Sequence, residues 1–228
     1  ATLSPVKPGK STRRAGRALD SFFAPDSVAV VGATDKSGSV GRTVLLNLLK
    51  GPYQDKVYAV NPKRREVLGA TSYPSISQMP EPVDLAIVVT PATTVPDIIA
   101  ECVDFGVKSV VVISAGFRER GEEGTQLEER IKAELRRGST RVIGPNCLGI
   151  MNPLIGLDAT FAKKTPKGGN VAFLSQSGAL LTAILDWAIP QEVGFSGIVS
   201  TGSMLDVGWG DLISHYGDDP NTHSILIY

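Results

Sequence analysis

Histidine is scarce in this sequence. There are two in 228 residues, His215 and His223, both near Asp218 and Asp219 and without the spacing of metal ligands. Both are expected on the surface, and no metal site is expected. Cysteine is equally scarce. Cys102 falls on an expected helix face and Cys147 in a loop, a pattern that fits a reducing cytoplasm better than a disulfide framework. Cys147 has the residue type of a nucleophile, but also that of a small buried thiol. No apolar run approaches the length of a membrane span, and no signal-peptide core opens the chain. The formal net charge is zero, so composition calls for neither nucleic acid nor membrane as a partner. The length allows one large or two small domains.

What is present begins with Val28–Val31, an apolar run that reads as a buried strand. It leads through Gly32, Gly38 and Gly41 into Val40, Val44, Leu45, Leu48 and Leu49, which repeat at helical spacing. Glycines there let the backbone turn tightly and approach a ligand. A helix start at the same place offers unpaired N–H groups and the positive end of the helix dipole to an anion. The spacing is not Gly-x-Gly-x-x-Gly, and a tight strand-to-helix turn without a ligand satisfies it equally.

The next strand, Lys56–Val60, ends in Asn61-Pro62-Lys63-Arg64-Arg65. An NAD site keeps a carboxylate at this point for the ribose hydroxyls. Here cations stand instead, which suits a phosphorylated ribose, as in NADP or coenzyme A. A solvated basic turn gives the same pattern.

Along the chain, residues 1–18 hold Lys7, Lys10, Arg13, Arg14 and Arg17 with little apolar content, and read as a flexible basic arm. From Leu19 to Gly144 strand and helix alternate. Further strands are expected at Leu85–Val89, Ser109–Ile113 and Val142–Ile143. A helix is expected from near Thr94, with Pro96 in its first turn and Gly106 at its end. Another is expected to open at Thr125-Gln126-Leu127-Glu128, a capping-box spacing. Such alternation means a parallel sheet covered on both faces, with ligands at the carboxyl ends of its strands. The loops Gly32–Gly41, Asn61–Arg65, Thr90-Pro91-Ala92 and Ser114–Phe117 then share one rim.

The segment Gly144-Pro145-Asn146-Cys147-Leu148-Gly149 reads as a shaped turn, and Met151–Gly169 as a connector. A second α/β pattern follows. Strands are expected at Val171–Leu174, Phe195–Ser200 and Ser224–Tyr228. Helices are expected at Ala179–Ile189, apolar nearly all round and so buried on two sides, and at Val207–Ser214. Ser175-Gln176-Ser177-Gly178-Ala179 joins a strand to a helix, with Ser177 placed to cap it, and makes a second anion site or a plain helix cap. No glycine precedes Ser175 at nucleophile-elbow spacing. The last strand has no covering helix after it, so the expectation is an N-terminal part of something longer.

With these residues in hand, the sequence resembles the nucleoside-diphosphate-forming acyl-CoA synthetases: the ADP-forming acetate–CoA ligases and, more distantly, the α subunit of succinyl-CoA synthetase. It also resembles the synthetase-like region of fused protein lysine acetyltransferases. The matching pieces are Ser27–Thr34, Ser37–Gly41, Val60–Lys63, Ser114–Phe117, Ile143–Gly149 and Leu174–Ala179, in family order, and the likeness covers about Leu19 to Tyr228.

The resemblance implies a Rossmann-like parallel-sheet CoA-binding domain at 19–150, followed by a truncated flavodoxin-like α/β domain at 165–228. Ser37, Gly38, Ser39 and Val40 would hold the phosphates of coenzyme A or an acyl-CoA, and Lys63 would meet its phosphorylated end. Ile113, Ser114 and Ala115 would flank the pantetheine arm, Asn146 would lie near the thiol, and Gly32, Thr34 and Pro91 complete the cofactor set. Ser175, Ser177, Gly178 and Ala179 would form the turn that steadies a phosphohistidine. Neither His215 nor His223 matches that histidine, so no catalytic residue is expected in this stretch. The resemblance further implies a carboxylate substrate. ATP/ADP and Mg would enter only through a nucleotide-grasp region in the same chain or another subunit, and the protein would be a cytoplasmic homo-oligomer. The alternatives are a CoA-sensing region of a fused acetyltransferase, inactive as a ligase, and an NADP-dependent oxidoreductase, which leaves Gly144–Gly149 and Ser175–Ala179 without a task.

Overall fold

The computed structural model describes residues 19–52 and 56–228, so the basic arm expected at 1–18 lies outside the described residues. Strands β1 (Val28–Val31), β2 (Val57–Val60), β3 (Glu66–Val67), β4 (Ala70–Tyr73), β5 (Leu85–Val88), β6 (Ser109–Val112) and β7 (Arg141–Ile143) form one sheet in the order β3-β4-β2-β1-β5-β6-β7. Its pairings are parallel except the short β3–β4 hairpin. β1 and β5 are buried at every residue, as a sheet covered on both faces requires. Strand alternation divides their side chains. Val28, Val30, Leu85 and Ile87 face one core cluster, and Ala29, Val31, Ala86 and Val88 face another.

The second cluster is closed by α3 (Val95–Phe105) and α4 (Glu122–Leu135), through Val95, Ile99, Cys102 and Ile131. Pro96 stands in the first turn of α3, and Gly106 ends it in the left-handed conformation. α4 departs from expectation: it begins at Glu122, with Gly121 before it, and Thr125 lies inside it donating to Gly121 O at 3.1 Å. The glutamates Glu122 and Glu123 at the positive end of the dipole supply the start that the capping-box spacing places three residues later.

The first cluster is shared with a second sheet. Strands β8 (Gly149–Asn152), β9 (Leu157–Thr160), β10 (Gly168–Ser175), β11 (Phe195–Ser200) and β12 (Ser224–Ile227) are ordered β12-β10-β11-β8-β9. Helices α1 (Asp20–Phe23), α2 (Val40–Lys50) and α6 (Trp209–Gly217) supply Phe22, Phe23, Val44, Leu45, Leu48, Leu212 and Tyr216 to the core between the sheets. α5 (Gly178–Ala188) covers the far face with Leu181, Leu185 and Ala188. The molecule is therefore a stack: α3 and α4, first sheet, α1 with α2 and α6, second sheet, α5.

Three further expectations are corrected. Met151–Gly169 is not a mere connector: β8 and β9 pair antiparallel within it, joined by a 3₁₀ turn at Pro153–Ile155. α5 is buried on one side only, and Trp187 on its outer face is 61% exposed. His215 is not a surface residue. Its ring packs 4.7 Å from that of Phe23, which ties α6 to α1. Among the described residues, no helix is long and apolar enough to cross a membrane.

Candidate functional site

The order of the first sheet reverses direction between β1 and β5, and the crevice outside their carboxyl ends is where such sheets take ligands. The turn after β1 is built from its own polar groups. Thr34 Oγ1 accepts from Lys36 N at 3.2 Å, and Ser39 Oγ donates to Lys36 O at 2.7 Å. Ser39 also caps α2, its Oγ accepting from Arg42 N at 3.3 Å. Ser37 and Gly38 are left exposed at the tip, and Val40 opens the helix half-exposed. A Cβ at Gly41 would lie 2.4 Å from Gly32 O, so only glycine lets α2 rest directly on the strand end. Arg42, which the sequence reading passed over, reaches back to Asp35 O at 3.0 Å and puts a cation over the loop.

The end of β2 is tied to that loop. Asn61 Nδ2 donates to Ala33 O at 2.8 Å, and Asn61 Oδ1 accepts from Lys63 N at 2.9 Å. Of the cations that follow, Arg64 pairs with Asp35 at 3.1 Å, while Lys63 and Arg65 are exposed. Below lies a recess of about 250 Å³, lined by Gly32, Asn61, Pro62, Thr90, Pro91 and Ile98 among others.

A larger cleft of about 700 Å³ shares Thr90 and Pro91 with that recess and runs to α5. Its floor is held by Ser114, whose Oγ donates to Thr90 O at 2.6 Å, and by Asn146 N, which donates to Ser114 O at 2.9 Å. Asn146 adopts a positive φ of 57°, a conformation asparagine tolerates. Gly144 is forced, because a Cβ there would meet Val112 O at 2.4 Å. Leu205 N and Ser203 N donate to Gly144 O and Pro145 O, so this turn is pinned between the two sheets. Cys147 lines the cleft but is no nucleophile as it stands: burial pushes its thiol up to about 12, against a lowering contact from Gly149.

At the far end, Gly178 and Ala179 line the cleft with the first turn of α5. Ser177 Oγ caps that helix by accepting from Leu180 N at 3.2 Å. The Ser175 side chain is turned inward, accepting from Ser177 N at 3.2 Å and donating to Ser177 O at 2.9 Å. A Cβ at Gly178 would meet nothing closer than Leu148 Cβ at 3.4 Å, ordinary contact.

The structure thus brings Val40, Pro91, Ile113, Ser114, Ala115, Asn146, Gly178 and Ala179 to one cleft and Gly32 to the adjoining recess. Thr34, Ser37, Gly38 and Ser39 form the turn beside it, and Lys63 stands in the exposed turn after β2. Phe161 and Thr182, which no motif singled out, complete the wall with Val89, Thr90, Cys147 and Leu148. None of the described residues lining the cleft is charged. Among the described residues, no cluster of three histidine, cysteine or acidic side chains could hold a metal ion.

The model of the CoA binding domain matches residues 26–153, and that of the succinyl-CoA ligase like flavodoxin domain matches residues 168–228. The sequence is 45% identical over 210 residues to an ADP-forming acetate–CoA ligase I of Archaeoglobus fulgidus, covering 92% of this chain and 30% of that protein. It is 40% identical over 214 residues to the α subunit of ADP-forming acetate–CoA ligase I of Pyrococcus furiosus, covering 92% of this chain and 46% of that subunit. The chain therefore spans less than half the length of these relatives. An acetyl-coenzyme A synthetase 1 of Ca. Korarchaeum cryptofilum, solved with phosphate and ADP, superposes with a TM-score of 0.87 at 40% identity, covering 92% of this chain and 45% of that one.

Proposed function

Because the chain belongs to the CoA binding domain family, we propose that its rim of loops holds coenzyme A or an acyl-CoA. The observation that carries this reading is that the two hollows share Thr90 and Pro91 in their walls and that the larger one reaches the first turn of α5. The recess would take the adenosine end, with exposed Lys63 meeting the ribose phosphate. The Ser37–Val40 turn would hold the linking phosphates, since N–H groups at a helix start and the Arg42 guanidinium favour an anion there. The uncharged cleft suits the pantetheine arm, between Ile113, Ser114 and Ala115, with the thiol near Asn146. Gly32, Thr34 and Pro91 shape its entrance.

In the same proposal, the N–H groups of Gly178 and Ala179 face a phosphate, while Ser177 and Ser175 fix the turn that aims them. The chain would be the CoA-binding and partial ligase region of an ADP-forming acyl-CoA synthetase. The whole protein would join a carboxylate to CoA at the expense of ATP, by way of an acyl phosphate and a phosphohistidine. ATP/ADP and Mg would belong to a nucleotide-grasp region elsewhere, and this chain alone would turn nothing over. The CoA-binding unit is proposed at 19–150 and the ligase unit at 165–228, with β9 between them already paired into the second sheet. Assembly as a homo-oligomer in the cytoplasm is part of this proposal.

Titration calorimetry with CoA and dephospho-CoA tests it. Lys63→Glu should weaken CoA about ten- to hundredfold, the size of a charge-assisted contact of roughly 1.5–3 kcal/mol, and should weaken dephospho-CoA much less. Equal losses would remove Lys63 from the role, and no binding by the parent chain would end the reading. In the whole protein, Gly178→Val should block phosphohistidine formation and spare CoA affinity. Unimpaired phosphorylation would reduce Ser175–Ala179 to a helix cap.

A further inference from the structure

We propose that Phe161 sets how large an acyl group the cleft accepts. The inference rests on the reading that this cleft takes the thioester end of an acyl-CoA. Phe161 follows β9, is 37% exposed, and lines the cleft with Val40, Leu148 and Thr182. A large aromatic side chain left in water gains little packing on its own account. Yet the backbone that carries it is tied down on both sides by buried side chains.

Asn47 on α2, itself buried, donates from Nδ2 to Thr160 O at 3.0 Å and to Ala162 O at 2.9 Å. It therefore grips the carbonyls on both sides of Phe161. Thr160 is fully buried, and its Oγ1 donates to Asp158 Oδ1 at 2.7 Å and accepts from Ala162 N at 3.1 Å. Thr165 Oγ1 closes the far side of the loop on Asp158 Oδ2 at 2.5 Å. Asp158 is 3% exposed, and burial raises its carboxyl above the usual range despite the hydroxyls of Thr165 and Thr160 and the charge of Lys50. Burying a carboxylate is costly unless its oxygens are satisfied, and here they are satisfied by the loop itself. The outcome of this buried polar clamp is a backbone held on both sides of Phe161, the one aromatic residue among the described residues lining the cleft.

An aromatic side chain on a firmly held backbone, in the uncharged cleft that Asn146 and the start of α5 also line, is placed to limit the chain attached to the thiol. It makes Phe161 a specificity residue and Asn47, Asp158, Thr160 and Thr165 positioning residues. Small differences in fit at an apolar wall change discrimination by roughly 10–200-fold per methylene-sized group.

The test is competitive binding of acetyl-CoA and phenylacetyl-CoA to the 228-residue chain, with CoA as the reference ligand. Phe161→Ala should raise the affinity for phenylacetyl-CoA relative to acetyl-CoA by at least about tenfold, while Phe161→Tyr should keep the parent ratio. Thr165→Val, which leaves the ring in place but loosens its clamp, should move the ratio the same way by less. Circular dichroism establishes that each variant is folded. An unchanged ratio in Phe161→Ala, or equal weakening of both esters, would overturn the proposal while CoA binding stands. Failure of the parent chain to bind CoA would bring down the underlying reading and this inference with it.

Discussion

Two strand-to-helix turns of this molecule, those after β1 and β10, end alike and are built differently. Ser39 caps α2 and Ser177 caps α5, each hydroxyl accepting from the N–H three residues on, at 3.3 and 3.2 Å. The turn after β1 is long, exposed at Ser37 and Gly38, and attended by Lys36 and Arg42. The turn after β10 is two residues long, has no cation, and is filled by the inward Ser175 hydroxyl. One turn supplies both N–H groups and charge. The other supplies N–H groups alone, at the end of an uncharged cleft. On the proposed reading, the first would be a site that holds a polyanion firmly and the second one that meets a phosphate in passing.

The largest expected effect breaks that comparison at its glycines. Gly41→Val drives a side chain into Gly32 O and should cost about 3 kcal/mol, the upper range for overpacking, with loss of CoA binding. Gly178→Ala finds only ordinary contacts and should stay within about 1 kcal/mol of the parent. Urea unfolding of both variants measures the contrast, and similar losses would mean that the two helix starts are equally tight. Next come the caps. Ser39→Ala and Ser177→Ala should each cost about 1 kcal/mol, but only the first should weaken CoA by calorimetry. A smaller change is expected at Arg64, whose pair with Asp35 is half-exposed. Arg64→Ala should shift stability by less than about 1 kcal/mol. The smallest concerns Cys147, between the turns. Its thiol, held neutral by burial with a pKa of about 12, should resist iodoacetamide in the folded chain at pH 8 and react once urea unfolds it. Rapid labelling of the native chain would show the cleft to be looser than described.

Much of the fold was legible because its strands are continuous apolar runs. Val28–Val31 and Phe195–Ser200 stand where the runs stand. Gly106 marks the end of α3 because a left-handed cap favours glycine. The pairs β3–β4 and β8–β9 were not legible. Their strands are two to four residues long, and their partners, not their composition, make them strands. Thr125 misled because the same spacing occurs inside a helix. The rim of loops could be read from topology, and the structure gathers it at the two hollows. Phe161 could not be read, since the clamp that aims it joins Asn47 to residues more than a hundred positions away.

The central claim is that the two hollows form one CoA site along the β1 turn and the cleft. Amide chemical shifts of the 24.1 kDa chain, followed during a CoA titration, test it most directly. The account predicts saturable shifts at Ser37–Gly41, Lys63, Ala115 and Asn146, fading toward Gly178. Shifts confined instead to the separate groove of Lys132, Arg136 and Arg141 would contradict it.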